Sequence, residues 1–451
     1  MSVETSKTSY RLPEGSGWAN AWKYAAVAAV LGAIGCALGY LSDPHRFAFS
    51  YLYGLATILS LGLGGMFFVV VAHLTKGHWA VSSRRIAELL MVALPILFLF
   101  FLPLLGMQGT LYEWTHAAHG DAAAEGEHGE AGAAPAEHGA LGQRPAGVAL
   151  AQDAHGEASA AHAHSPMEEA LHHEVLAHKS PFLNSTGWSV RAILYWLVWM
   201  LIAIGYFRLS RRQDESKDMA LTRRMQWFAP LSMIGFGLTL TFASFDWLMA
   251  LEPAWYSTIF GVQFFSGAAV TIYAVIILLA LGLAKAGHLG KAVNVEHFHD
   301  HGKLLFGFVC FWAYISFSQW MLIWYAGIPE EATYYHRRWS GGWEFVSVFL
   351  IFGHFVGPFI YGMSRLMKRN LERLKLIAAW MLVMHIVDVY WLVMPYASAE
   401  PHLSVNPTDF AALLLMGGAF FLVVFLLMRR IPLVPVGDPR LARSISHVQS
   451  H

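Results

Sequence analysis

The sequence is poor in charge and almost free of cysteine. Only 13% of its 451 residues are Asp, Glu, Lys or Arg, about half the share of an ordinary soluble domain. The 30 basic and 30 acidic side chains cancel. Low charge, with 56% hydrophobic residues and a mean hydropathy of +0.46, excludes a disordered chain. A balanced charge also leaves no basic field to hold a nucleic acid. The two cysteines, Cys36 and Cys310, lie far apart in apolar runs. Such a pair can neither staple a secreted scaffold nor form a CxxCH haem attachment, and it falls short of the four thiolates of an iron–sulfur cluster. We read both as small core residues. Any electron carrier must then be haem held by histidine, a diffusible molecule such as quinone, or a partner subunit. The first 20 residues lack the short apolar core and cleavage site of a signal peptide, so the first apolar run is expected to remain as a membrane span.

What the chain has instead is length without charge. A bilayer-crossing helix needs about 20 mainly apolar residues. Ten runs qualify, approximately Trp22–Leu41, Ser50–His73, Ile86–Met107, Trp188–Leu209, Gln226–Phe245, Tyr256–Leu283, Leu304–Tyr325, Trp343–Gly362, Leu374–Pro395 and Thr408–Met428. With both termini cytoplasmic, 24 of the 30 Lys and Arg fall in cytoplasmic segments, as the positive-inside rule requires. The expected fold is an all-α integral membrane protein of ten transmembrane helices. Its organisation is a cytoplasmic segment 1–21, spans one to three in 22–107, an outer insertion 108–187, spans four to ten in 188–428, and a cytoplasmic tail 429–451.

The insertion does not belong in hydrocarbon. It is rich in Ala, Gly, Glu and His and carries ten of the 23 histidines. Residues 161–177 read as a short amphipathic helix, with Glu168/His172 and Glu169/His173 at i, i+4 spacing. His162, His164, His172 and His173 could form a surface metal site, but nothing in the run sets a coordination geometry. A solvated, pH-buffering insertion is the plainer reading.

Ionisable groups inside spans are costly, so each is a functional candidate. Asp246 ends span five and is followed by Glu252-Pro253; Asp388 sits in span nine and is followed by Pro395. Both Asp-to-Pro spacings are seven residues, four spans apart. This points to a parallel internal repeat, with spans two to five and six to nine as two four-helix bundles and spans one and ten peripheral. His354 and His385 fall at similar depth on neighbouring spans. Such a pair could ligate a b-type haem or form a polar cluster with Asp388, one turn from His385. Together these residues suggest a chain of proton carriers. His299, Asp300 and His301 stand at the cytoplasmic mouth, and Ser316, Ser318, Gln319, His354, His385 and Asp388 in the middle. Asp246, Glu252, Tyr325, Glu330 and Glu331 lie toward the outside. The carboxylates beyond the spans also read as solvated loop charges.

The strings ASFDWLMALEPAWYSTIFG (243–261), FHDHGKLLFGFVCFWAYISFSQWMLIWYAGIPEE (298–331) and HIVDVYWLVMP (385–395) resemble the NrfD/polysulfide-reductase-type membrane subunits of bacterial alternative complex III, in particular the ActF type. The resemblance covers most of the membrane region and excludes the insertion. It implies a subunit of a quinol-oxidising respiratory complex in the bacterial inner membrane, giving structural support and a proton path coupled to quinol oxidation elsewhere. The implied partners are an NrfD-like sister subunit and subunits carrying iron–sulfur clusters and c-type haems. The matching motif residues are Asp246, His299, Asp300, Gln319, Tyr325, Glu330, His385 and Asp388. Kinship also makes quinone a candidate ligand, beside Asp246, Trp247, Trp324 and His385, with Trp320 adding to an aromatic wall. No redox centre is expected in the chain itself; its other ligands would be lipids. A quinone-site subunit, a b-haem anchor and a secondary transporter stay as rival readings.

Overall fold

A computed structural model of the protein describes residues 10–115 and 174–447. Among these residues it is helical throughout its core, and ten helices are long and apolar enough to cross a membrane. They are α1 (Trp18–Ser42), α2 (Pro44–Leu74), α3 (Val81–Gly106), α4 (Ser185–Ser216), α5 (Met219–Leu251), α6 (Phe260–Lys285), α7 (Val295–Ala326), α8 (Trp343–Met363), α9 (Leu371–Tyr396) and α10 (Pro407–Arg430). All ten expected spans are present. The proposed metal ligands His162, His164, His172 and His173, and most of the expected helix 161–177, lie outside the described residues.

Several helices run beyond the expected hydrophobic limits because polar residues cap them. Asp43 accepts from Arg46 N at 2.9 Å and starts α2 at Pro44, six residues early. Asn294 and His297 form a reciprocal cap that starts α7 at Val295, so His299, Asp300, His301 and Lys303 stand on the helix instead of in a loop. Satisfying the first N–H groups in this way lets a helix project past its apolar stretch.

Helices α2 to α5 pack as one four-helix group and α6 to α9 as a second. The groups meet through α2 and α6, which are the most enclosed helices, with 89% and 78% of their apolar windows buried against 22% for α1. Gly64 of α2 makes this contact possible: a Cβ there would stand 2.6 Å from Ala268 O of α6. In hydrocarbon, helices associate by such close backbone approach and not by a hydrophobic drive. The same device joins α1 to α10, where side chains at Gly32 and Gly418 would run into the backbones of Leu415 and Ala29. Helix α10 rests on α2, and α1 covers α10.

Both described ends of the chain lie on one face, since Leu433 N donates to Tyr10 O at 2.7 Å. We call this the termini face. Here the structure adds to the sequence reading. Arg84 and Arg85, which count among the basic residues flanking span three on the cytoplasmic side, sit fully buried in the first turns of α3 with Glu88. Arg84 pairs with Glu88 and with Asp438, both near 2.8 Å, and Arg85 pairs with Asp214 at 2.6 Å. The reason is partly the tail: residues 431–438 fold back under the helices and bring Asp438 to Arg84, while Asp214 of α4 meets Arg85. Burial alone would raise the Asp438 carboxyl, but Arg440 and Arg84 hold it well below the usual carboxylate range. The clamp is therefore at full strength above pH of about 4, the ordinary Asp value, and weakens only as pH falls through the depressed value.

Removing Asp438 should strip Arg84 and Arg440 of the buried carboxylate they share. Asp438→Asn is expected to cost about 3 kcal/mol or more, the scale of a broken buried ion pair. Thermal unfolding in detergent should show the loss, and trypsin should reach Arg440 and Arg443 sooner than in the wild type.

Candidate functional site

Where the two groups meet, four helices bring polar side chains into the membrane interior and a fifth makes room for them. Helix α9 supplies His385 and, one turn on, Asp388; both are buried. Helix α7 supplies Trp312, whose indole Nε1 donates to Asp388 Oδ2 at 3.1 Å. Helix α8 supplies His354, stacked on the Trp312 ring at 3.8 Å. Helix α2 crosses from the first group with Ser60, whose Oγ lies 2.7 Å from His385 Nε2. Helix α6 contributes the backbone of Gly267: a Cβ there would sit 3.0 Å from His385 Nδ1 and 3.4 Å from Asp388 Oδ2. Only glycine leaves room for both side chains against α6. The expected matched depth of His354 and His385 is thus observed.

Hydrogen-bond accounting orients this cluster. The Ser60 hydroxyl has one proton, and at 2.6 Å it is given to Thr57 O. Ser60 must then accept from His385, which places the imidazole proton on Nε2 and leaves Nδ1 as an acceptor. Nδ1 of His385, Oδ1 of Asp388 and both ring nitrogens of His354 have no protein hydrogen-bond partner. Buried polar atoms are nearly always paired, so such a concentration marks a working site more often than a packing residue. Among the described residues no Lys or Arg lies in ion-pair range of Asp388. The π-type turn Ile351–Val356 carries His354. Trp380 Nε1 takes up the carbonyl of Gly353 in that turn at 2.7 Å. Turns of this kind concentrate at functional positions. The packing does not favour the b-haem reading: Ser60 holds one nitrogen of His385, Gly267 crowds the other, and Trp312 covers the His354 ring.

From this centre a polar ladder climbs away from the termini face. Ser316, one turn from Trp312, has a buried hydroxyl without a protein partner. Gln319 follows on α7; its Nε2 donates to Gln263 Oε1 at 3.0 Å, and Ser257 Oγ donates to Gln319 Oε1 at 2.9 Å. Tyr335 lies 3.3 Å from the same amide. Gln263 is one turn from Gly267 on α6. Beyond stands Glu252, 3.8 Å from Arg337; burial raises its pKa while Arg337 and Arg338 oppose. Toward the termini face the ladder is broken. His301 is 11 residues before Trp312 on α7, about 16 Å along the axis. The interval holds an aromatic layer in which Phe67, Phe265 and Phe308 meet edge to face. Tyr273, the polar-tipped member, touches both Phe308 and His301. Below it His301 meets Ser83 at 2.9 Å, and Asp300 pairs with Lys303 and His447, each at 2.8 Å. His299 is buried on the same turn.

Other expected members lie elsewhere. Asp246 occupies in the first group the place that Asp388 has in the second, but it is neutralised. Arg191 grips it through Nε and Nη2 at 2.9 and 2.8 Å, and Tyr195 donates to it at 2.7 Å. It does not join the Asp388 cluster. The four residues proposed to line a quinone site are also separated. Trp247 is buried against Phe101 and Trp199 in the first group, while Trp324 stacks on Trp320 along the outward stripe of α7. Tyr325 ends that stripe, 85% exposed. The side chain of Glu330 lies outside the described residues.

Sequence reasoning missed Ser60, Gly267, Gln263, Ser257, Trp312, Tyr273 and Tyr335. None is ionisable at neutral pH, and each matters through a partner on another helix. A signal did exist in Gln263-x-x-Ser266-Gly267, a polar and small stripe on an otherwise apolar span.

Two substitutions test this geometry. Asp246→Asn should lower thermal stability by about 3 kcal/mol, because Arg191 is left half buried without its carboxylate, and the Asp246→Leu/Arg191→Met double variant should recover part of the loss. Gly267→Ala should disturb the His385 and Asp388 side chains without unfolding the bundle, which carboxyl and imidazole bands in infrared spectra would register. Comparison of the sequence with protein-family models and with curated proteins gives no match.

Proposed function

We propose that this chain is a membrane subunit of a respiratory quinol:electron-acceptor oxidoreductase of the alternative complex III type, giving structural support and a path for protons coupled to quinol oxidation in a neighbouring subunit. The observation that supports the path is the cluster of His354, His385 and Asp388, enclosed in a ten-helix membrane protein with several unpartnered proton-accepting atoms. Isolated ionisable groups in hydrocarbon cost several kcal/mol and persist where they carry protons, ions or a counter-charge. Within this reading His385 Nδ1 and Asp388 Oδ2 both lie against Gly267 of α6, and the two side chains can share a proton. Ser316, Gln319 and the Gln263–Ser257–Tyr335 group would pass it, through intervening water, toward Glu252. His299, Asp300 and His301 would be the termini-face port, connected through the Tyr273 layer.

The family resemblance supports the rest of the proposal. By it the complex would lie in a bacterial inner membrane, and its electron-carrying partners would be iron–sulfur and c-type haem subunits beside an NrfD-like sister chain. The chain's own cysteines supply no redox centre. The geometry gives the quinone-site alternative less support, since Asp246 is already neutralised by Arg191 and the four candidate contacts are dispersed.

The assignment is tested in the assembled complex reconstituted in vesicles. Asp388→Asn should reduce protons moved per quinol oxidised at least tenfold while electron transfer continues. Asp246→Asn, in whatever fraction assembles, should leave that ratio unchanged. An unaltered ratio in Asp388→Asn overturns the proton-path role.

A further inference from the structure

At the termini face of the second helix group, α7, α8 and α9 leave a narrow groove between them. Gly302 and Leu305 of α7 form its floor, and Phe306, Val309, Pro358 and Ile377 its sides. All six are apolar, and they belong to the membrane-length helices. Gly362 keeps the upper wall open, since a side chain there would press on the Phe306 ring at 2.8 Å. A groove of this composition at this level meets lipid tails, not water.

Its mouth is basic. Lys368, in the short helix Arg365–Arg369, lays its stem over the Phe306 ring, with the ammonium 4.9 Å from the centroid. The ammonium donates to Gly362 O at 2.6 Å and to Met363 O at 3.3 Å, which leaves one of its three N–H groups. No carboxylate lies in ion-pair range of Lys368 among the described residues. The charge it feels is that of Lys303, and together with burial that like charge pushes the Lys368 ammonium down from its ordinary value. Lys303 is held to Asp300 on its other side. Arg373 reaches Met367 beside the same opening. The Lys368 stem packs against Gly302, within 3.5 Å of where a side chain there would begin, and Lys303 is the next residue along, so two like charges stand at the mouth with one carboxylate, Asp300, between them; an anion of fitting shape would complete the balance.

We propose that this groove is a binding site for an anionic phospholipid, its phosphate between Lys368 and Lys303 and one acyl chain along Leu305, Phe306 and Val309. A free phosphate would use the lysines and ignore the apolar groove; a zwitterionic lipid would use the groove and gain little from the lysines. No residue of the His385 cluster lines the groove, and the two proposals meet only at Lys303, which pairs with Asp300; the lipid test therefore stands or falls apart from the Asp388 assignment.

The test uses the full chain in nanodiscs made of phosphatidylcholine with or without phosphatidylglycerol. Native mass spectrometry should show phosphatidylglycerol retained in preference to phosphatidylcholine, and phosphatidylglycerol should raise the thermal midpoint where inorganic phosphate does not. Lys368→Gln should weaken retention of the anionic lipid about fivefold, the effect of one basic residue at an anionic surface, and Lys303→Gln/Lys368→Gln should remove the preference. Lys291→Gln, which deletes a charge from an exposed loop of the same face, should leave it intact. Equal retention of the two lipids by the wild type overturns the proposal, and so does an equal loss in Lys291→Gln. Stabilisation by inorganic phosphate as strong as by the lipid likewise rejects it in favour of a plain anion site.

Discussion

Membrane interior offers no water to a polar atom, and this constraint orders the whole structure. Every donor and acceptor that the ten helices carry into the core must find a partner in another helix or be kept there for a purpose. Most find partners. Arg46 near the start of α2 gathers Asp409, Ser404 and Tyr390, and Arg338 gathers the last carbonyls of α9, Trp391 O and Leu392 O, among the rings of Tyr334, Trp391 and Tyr396. These are joints. The residues that matter for function are those left over once the joints are subtracted.

That subtraction separates two aspartates that look alike. Asp246 and Asp388 occupy corresponding places in the two helix groups and both end near a helix terminus that finishes in a tight turn. Asp246 meets a forked guanidinium whose geometry matches a carboxylate, so its charge is spent on holding α4 to α5. Asp388 meets an indole N–H, with His385 one turn away and no Lys or Arg in ion-pair range among the described residues. Of the two corresponding places, one is thus built as a joint and the other holds a carboxylate with no basic partner among the described residues. The aromatic layer of Phe67, Phe265 and Phe308 closes the cluster toward the termini face, while polar side chains continue from it on the other side.

The termini face shows the same economy in reverse. Arg84, Arg85 and Glu88 are buried deeper than any charge-counting rule allows for, because the chain's own tail returns to seal them. A buried ionic cluster of this kind is weak evidence for added stability and better evidence for a specified arrangement. Here it places residues 431–447 beneath α3 and α7, with His447 on Asp300 and Ser444 on Ser82. The same face carries the groove with Lys368 at its mouth, which has no carboxylate in ion-pair range among the described residues.

Ten spans, the two four-helix groups, the peripheral first and last helices and the depth of His354 and His385 were legible from the chain alone. The physical reason is that hydrocarbon thickness imposes a length and charge cost that each helix meets locally, so runs of apolar residues and the spacing of Asp246 and Asp388 report it directly. Pairing between helices is a different matter. Whether an aspartate is neutralised by Arg191 or left beside His385, whether Gly267 opens a space, and whether Asp438 travels back to Arg84 depend on which helix faces meet. Those meetings join residues as far apart as Ser60 and His385, and only the tertiary structure decides them.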